Sequence, residues 1–136
     1  MSYVSASELR AVLDQQHGRV VVLNLWATWC TSCLREIPDL VSLERELGGK
    51  GLTVFGVAMD EPGDLDSLVR PYHAKYFPAF RSYLRRESDM DVIASVVDPA
   101  WNEVLPTTYL IDRAGKVVER MQGRLTLPEF RERAER

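Results

Sequence analysis

The sequence has little of what marks disulfide-stapled, nucleic-acid-binding or membrane-spanning proteins. It has only two cysteines, so a hydrophobic core and not a set of disulfide bonds must stabilise the protein. A chain of 136 residues is long enough to form such a core. The net charge of -3 argues against nucleic-acid partners. No apolar run approaches the roughly 20 residues of a membrane-spanning helix, and the start of the chain resembles a capped helix rather than a signal peptide. We therefore predict a single soluble domain over residues 1–136, without membrane insertion.

Both cysteines lie in one turn, shortly after a run of mostly apolar residues that begins with three β-branched valines. The run covers residues 20–26, and beyond Cys30 and Cys33 the apolar residues recur at helical spacing. A Cys-x-x-Cys between a strand and a helix places its first thiol over free backbone N–H groups and the positive end of the helix dipole. This position favours the thiolate, which is the attacking species in thiol–disulfide exchange. The pattern predicts a dithiol/disulfide redox protein.

The rest of the chain alternates between strand and helix patterns. We predict helices over residues 5–17, 30–48, 65–75, 88–97 and 126 to near the end, and strands over residues 20–26, 51–59, 82–84, 107–111 and 116–121. Ser5 and Glu8 form a capping-box pattern, Ser88 is the predicted cap of the fourth helix, and Pro38 is predicted to kink the second. The first two strands should be parallel because a helix separates them, whereas the last two form a hairpin. This order predicts an α/β protein with helices on both faces of a mixed sheet.

Three motifs stand out along the chain: Trp-Ala-Thr-Trp-Cys-Thr-Ser-Cys at 26–33, Glu-Ile-Pro at 36–38, and Leu-Pro-Thr-Thr-Tyr-Leu-Ile-Asp at 105–112 with Gly-Lys-Val at 115–117. In these motifs the sequence resembles the thioredoxin superfamily, in particular the TlpA/ResA/DsbE-type thioredoxins that bacteria use outside the cytoplasm. The resemblance implies a thioredoxin-like fold, with three layers in the order α/β/α, a central mixed sheet and a helical insertion before the C-terminal hairpin. The implied activity is that of a protein-disulfide oxidoreductase acting in cell redox homeostasis.

The resemblance assigns different roles to the two thiols. Cys30 is the exposed nucleophile, and Cys33, one turn into the helix, resolves the mixed disulfide formed on Cys30. A redox-active disulfide between them takes the place of a cofactor, and no metal is expected. The other interpretations are a structural disulfide, which would contribute little across so short a loop, and half of a zinc site, for which only His17 and His73 remain as histidine ligands.

Four residues are implied contacts of a partner protein. Pro106 matches the superfamily's cis-proline, which leaves the backbone of Leu105 open to pair with a partner peptide. The alternative is a trans proline that opens an edge strand. Trp29 is expected on the surface beside Cys30. Trp101 either lines the partner groove or is a half-buried core aromatic.

One carboxylate is an implied proton acceptor. In cytosolic thioredoxins the position of Asn24 carries a titratable Asp, and asparagine cannot replace that function. The TlpA/ResA type has a carboxylate after the next strand instead, and Glu61 matches it in register. We predict that Glu61 takes the proton of Cys33, with Asp60 as the neighbouring alternative.

The predicted function is disulfide exchange with partner proteins, and its direction is that of a reductant. Thr31 and Ser32, between the cysteines, carry no positive charge to stabilise a thiolate strongly, so a strong oxidant is not expected. The expected partners are disulfide-bonded proteins and an upstream thiol donor, and the chain is expected to be a monomer in the bacterial periplasm, or alternatively in the cytoplasm. The alternative function is a copper- or metal-delivery module that uses the same two thiols as soft ligands. A peroxidase is disfavoured because the Pro-x-x-x-Thr context of a peroxidatic cysteine is missing.

Overall fold

The structure is a computed structural model that describes residues 1–135, and it shows one six-stranded mixed sheet with helices on both faces. The strands are β1 Ser2–Val4, β2 Val20–Trp26, β3 Leu52–Ala58, β4 Ser82–Arg85, β5 Thr107–Ile111 and β6 Val117–Gln122. The helices are α1 Ala6–Asp14, α2 Thr31–Leu47, α3 Arg70–Tyr76, α4 Met90–Ala94 and α5 Leu127–Ala134. Short helical turns at Gly48–Lys50, Pro62–Asp64 and Leu65–Val69 complete the order. The predicted α/β class and the helical segment before the hairpin are confirmed.

The two longest strands lie at the centre of the sheet. The strand order is β1-β4-β3-β2-β5-β6, in which the first four strands are parallel and β5 and β6 are antiparallel to their neighbours. β2 pairs with β3 along seven residues, and every residue of β3 is buried. Continuous burial on both faces is typical of a central strand covered by helices. Because the Cys-x-x-Cys turn follows β2, it lies at the carboxyl end of the central parallel strands.

Alternate residues of the strands build two separate core layers. The layer under α2 and α5 takes Val22 and Trp26 from β2, together with Phe130 of α5. The layer under α1 and α4 takes Leu23 and other odd-numbered residues of β2. Since successive strand residues point to opposite faces, the even-numbered positions of β2 face the helix that carries the cysteines.

Three details differ from the sequence-based prediction. β1 was not predicted, because three residues are too few to show an alternating pattern. The fourth helix is shorter than predicted, and its cap is Asp89, whose side chain accepts a hydrogen bond from the backbone of Asp91, and not Ser88. The predicted kink at Pro38 stays a prediction, and α2 runs through this residue as one helix. Within residues 1–135, no helix combines the length and the apolar character needed to cross a bilayer.

Gly56 in β3 lies where neighbouring rings leave no room for a side chain. A Cβ there would come within 2.6 Å of Phe80 Cζ and 3.1 Å of Trp26 Cδ1, both in the buried core. We expect Gly56→Ala to lower the free energy of unfolding by about 1–3 kcal/mol, because a closely packed core must shift to accept it. Urea denaturation of the oxidised protein measures this loss. Gly63→Ala is the matched control, since no atom lies within 4 Å of its added Cβ, and equal losses in both variants would contradict the packing argument.

Candidate redox-active site

The two cysteines form a disulfide at the beginning of α2. Cys30 is the N-cap residue of the helix, and its Sγ accepts a hydrogen bond from the backbone N–H of Cys33 at 3.3 Å. The disulfide joins Cys30 and Cys33, whose Cα atoms are 5.3 Å apart. Cys30 keeps 8% of its surface exposed and Cys33 none. Cys30 is more buried than the resemblance implies, yet it is the one residue of the pair that keeps exposed surface.

A buried carboxylate fixes the turn in front of the disulfide. Asp60, 2% exposed, follows β3 and accepts hydrogen bonds from the backbone N–H of Thr28 at 3.1 Å and from its hydroxyl at 2.5 Å. The backbone N–H of Met59 donates to the carbonyl of Trp26 at 2.7 Å. These contacts join the loop after β3 to the turn after β2. Asp60 therefore anchors the turn that presents Cys30.

The two tryptophans of the motif occupy opposite environments. Trp26 is fully buried, its indole N–H donates to Ser82 Oγ at 2.9 Å, and its ring meets Phe77 and Phe80 edge-on. Trp29, next to Cys30 in the chain, has 65% of its surface exposed. A large apolar side chain this exposed at the mouth of a site is available to a partner surface. Its role in partner binding stays a prediction.

The proline loop lies at the same end of the sheet as the disulfide. The Leu105–Pro106 peptide bond is cis, as the resemblance implies. Thr107 pairs with Leu25 in the antiparallel register of β5 and β2, so Pro106 lies level with the end of β2. Leu105 is partly buried and contacts both core layers. The topology thus brings together two motifs that are more than 70 positions apart in the sequence.

Trp101 supports this loop from inside the molecule. It is 8% exposed, and its indole N–H donates to Thr107 Oγ1 at 3.2 Å. The same hydroxyl donates to the carbonyl of Val104 at 2.5 Å, just before the cis peptide bond. Of the two roles left open for Trp101, this placement favours the core aromatic. A contact between Trp101 and a partner stays a prediction.

Glu61 lies on the surface beside a buried guanidinium. Its side chain is 74% exposed, and its carboxylate is 3.6 Å from Arg85 Nη2. Arg85 is 2% exposed and donates to the carbonyls of Met59, Glu87 and Ser88 at 2.8–3.0 Å. The partner that the structure shows for Glu61 is therefore Arg85 and not a thiol. Its proposed part in proton transfer stays a prediction.

A second buried carboxylate, Glu36, which sequence analysis used only as part of a motif, lies inside the core. Glu36 has no exposed surface, and its Oε1 accepts from Asn24 Nδ2 at 3.1 Å and from Thr108 Oγ1 at 3.2 Å. Its Oε2 accepts from the backbone N–H of Leu125 at 2.8 Å. Three neutral donors from three parts of the chain thus hold this carboxylate.

Burial changes the acidity of Glu36. Removal from water raises the pKa of this carboxyl to about 7, and the hydrogen bonds from Leu125 and Thr108 offset part of the increase. Glu36 follows Cys33 by three positions, so the two side chains share one face of α2. The available sequence signal was an acidic residue at an inward-facing position of an amphipathic helix, between Cys33 and Ile37.

The fold and the disulfide at the helix N-terminus define a thioredoxin-like protein. The chain belongs to the AhpC/TSA family, whose family profile matches residues 7–120, and within the thioredoxin superfamily it is of the TlpA/ResA/DsbE-like type.

Named relatives agree with this assignment. The chain is 29% identical over 115 residues to the thiol-disulfide oxidoreductase ResA of Bacillus thuringiensis subsp. konkukian, with 85% of this chain and 61% of the relative covered. It is 31% identical over 123 residues to ResA of Geobacillus thermodenitrificans, with 90% and 66% covered. The chain thus spans less than two thirds of the length of these relatives.

A solved structure supports the fold. A thioredoxin-family thiol:disulfide interchange protein from Chlorobium tepidum TLS superimposes with a TM-score of 0.74 at 22% identity, covering 90% of this chain and 81% of the other. At this identity the likeness establishes the thioredoxin-like fold.

Proposed function

We propose that the protein is a thiol–disulfide oxidoreductase that exchanges disulfides with partner proteins through Cys30 and Cys33. The observation that carries this proposal is the disulfide at the N-terminus of α2, in which Cys30 alone keeps exposed surface. In the reduced protein, the thiolate of Cys30 attacks a partner disulfide, forms a mixed disulfide and releases one partner thiol. The thiolate of Cys33 then attacks the Cys30 sulfur, which closes the internal disulfide and releases the second thiol. Two electrons pass to the partner, and an upstream thiol donor restores the dithiol.

We further propose that a carboxylate takes the proton of Cys33 in the second step, and two residues are candidates. Glu36 lies one helical turn beyond Cys33 on the same face, and its raised pKa of about 7 suits proton acceptance near neutral pH. Glu61 is the candidate that the family resemblance implies. Comparing Glu36→Gln with Glu61→Gln decides between them, since the variant that lacks the acceptor should resolve mixed disulfides more slowly.

The proposed direction of exchange is reduction of the partner. The two residues between the cysteines are uncharged, so no cation there stabilises the thiolate. The positive end of the helix dipole by itself lowers the pKa of a thiol only moderately. Equilibrating the dithiol with glutathione buffers and counting free thiols gives its potential. A value near about -270 mV supports a reductant, whereas a value near about -120 mV would make the protein an oxidant and contradict this proposal.

A metal-delivery module is the second candidate, because two thiolates suit copper(I). Within the described residues, no group of three or more His, Cys, Asp or Glu side chains is arranged to hold a metal ion. Titrating the reduced protein with copper(I) while assaying insulin reduction separates the two functions. Stable one-to-one copper binding without insulin reduction would favour delivery over exchange.

We place this activity outside the cytoplasm of a bacterium, with a monomeric protein, on the basis of the TlpA/ResA/DsbE resemblance. Cell fractionation of a bacterium that makes the full-length protein tests the location, and recovery in the cytosolic fraction would contradict it. Size-exclusion chromatography with light scattering tests the monomer.

A further inference from the structure

One helical turn beyond Cys33, side chains from two strands and the cysteine helix form a buried polar group that we call the Glu36 cluster: Asn24 of β2, Thr108 of β5 and Glu36 of α2. Asn24 and Thr108 are direct neighbours in the antiparallel register of their strands. All three residues are at most 1% exposed. Polar side chains are costly to bury unless they are hydrogen-bonded, so their arrangement inside an otherwise apolar layer needs a physical reason.

The direction of each hydrogen bond in the cluster follows from donor chemistry. Asn24 Nδ2 donates to Glu36 Oε1 at 3.1 Å and to Thr108 Oγ1 at 2.9 Å. A threonine hydroxyl has one proton, and because Thr108 accepts from the amide, that proton is free to go to Glu36 Oε1, 3.2 Å away. Asn24 thus acts on the carboxylate twice, once directly and once through Thr108.

These contacts favour the ionised carboxylate over the protonated acid. Asn24 Nδ2, Thr108 Oγ1 and the Leu125 N–H all donate to Glu36, and none of them accepts a hydrogen bond from it. If Glu36 takes up a proton on the lone pair that now accepts from Thr108, the hydroxyl has to turn away and that hydrogen bond is lost. Hydrogen bonds that form only with the charged form lower the pKa of an acid, and they oppose the effect of burial.

We propose that Asn24 and Thr108 are positioning residues that keep the buried Glu36 carboxylate ready to accept the proton of Cys33, and so set the pH range in which the mixed disulfide resolves. This inference rests on the proposed function of Glu36. The charged groups that act on Glu36 are Asp39 of α2, which raises its pKa, and Arg124, ahead of α5, which lowers it. Substitutions at Asn24 and Thr108 leave both of these charges in place.

The test uses variants of the hydroxyl, which change little volume. We expect Thr108→Val to raise the pKa of Glu36 by about one unit, a tenfold change in its proton affinity, because one hydrogen bond to the carboxylate is lost. Thr108→Ser should restore the original value because it restores the hydroxyl. Carbon-13 NMR of the Glu36 carboxyl in the oxidised protein gives these values while both cysteines are silent. The pH at which mixed-disulfide resolution reaches half its maximum should move upward by the same amount.

Thr53→Val is the matched control. Thr53 is a buried threonine at the opposite end of the central strands, and its hydroxyl accepts from Arg19 Nε at 2.7 Å. This control should leave the Glu36 titration unchanged. Asn24→Ala removes the hydrogen bond from Asn24 to Glu36 and the one from Asn24 to Thr108, so it should shift the Glu36 titration further than Thr108→Val. If Asn24→Ala does not fold, the Thr108→Val and Thr108→Ser variants decide alone.

Two results would overturn the inference. One is a Glu36 titration that is the same in Thr108→Val and in the wild type. The other arises if the wild-type rate of mixed-disulfide resolution follows the titration of Glu36, and Thr108→Val shifts that titration but leaves the pH dependence of resolution unchanged. If instead Glu36→Gln resolves mixed disulfides at the wild-type rate, the proposed role of Glu36 fails by itself, which is a separate outcome.

Discussion

Replacing Cys30 by serine should reduce disulfide exchange to the rate of the uncatalysed reaction. A serine hydroxyl cannot form the mixed disulfide, and Cys33 cannot take over because it has no exposed surface. Cys33→Ser should behave differently: it keeps the exposed nucleophile and accumulates a mixed disulfide that it cannot resolve. Insulin reduction measures the first effect, and mass spectrometry of the protein mixed with a disulfide-bonded peptide measures the second.

Ser32→Ala is the control for these two variants, because Ser32 lies between the cysteines on the exposed side of the turn. It should retain both insulin reduction and resolution. Far-ultraviolet circular dichroism shows whether each variant is folded. Exchange by Cys30→Ser at the wild-type rate would refute the assignment of the nucleophile, and adduct formation on Cys33 in that variant would reverse the two roles.

Raising the pH from about 5 to 8 should destabilise the oxidised wild-type protein more than its Glu36→Gln variant. In the folded state the pKa of Glu36 is about 7, above the ordinary value of 4.5 that it regains on unfolding. Between these values the folded state binds more protons than the unfolded state, so the free energy of unfolding falls as the pH rises, and the fall ends above the folded-state pKa. The expected difference between the two proteins changes by about 2.5 kcal/mol over this range.

Urea denaturation at several pH values measures this difference, and the oxidised form is used because its cysteines do not titrate. Glu61→Gln provides the comparison, since it makes the same change from carboxylate to amide at a side chain that is 74% exposed. Parallel stability curves for the wild type and Glu36→Gln would show that Glu36 is already ionised in the folded protein at pH 5.

The local features of the site were predictable from the sequence. Residues 20–26 form a buried strand, the helix begins directly after Cys30, and the two cysteines are close enough to bond. Each of these features depends on neighbours within a few positions: β-branched side chains for the strand, a thiol as the helix cap, and i, i+3 spacing for the disulfide. The cis bond before Pro106 was predictable only through the family motif, because most X–Pro bonds are trans.

The prediction for Glu61 shows where sequence reasoning stopped. Glu61 follows β3 at the end of the sheet that carries the disulfide, but the side chain that it contacts is Arg85, whose strand begins more than 20 positions later. Asp60, next to it, turns inward and holds Thr28 instead. Two adjacent carboxylates with the same local pattern therefore have different surroundings.

The sequence by itself determined the α/β class, the order of the elements from α1 onward and the position of the two cysteines at the beginning of a helix, since periodicity and spacing are properties of neighbouring residues. Only the tertiary structure decided that Glu36 is buried and that Asn24, Thr108 and Leu125 hold it. The reason is that the acidity of a carboxylate depends on the water it loses and the donors it meets. Both are set by faces of the sheet and helices that meet only after the chain has folded.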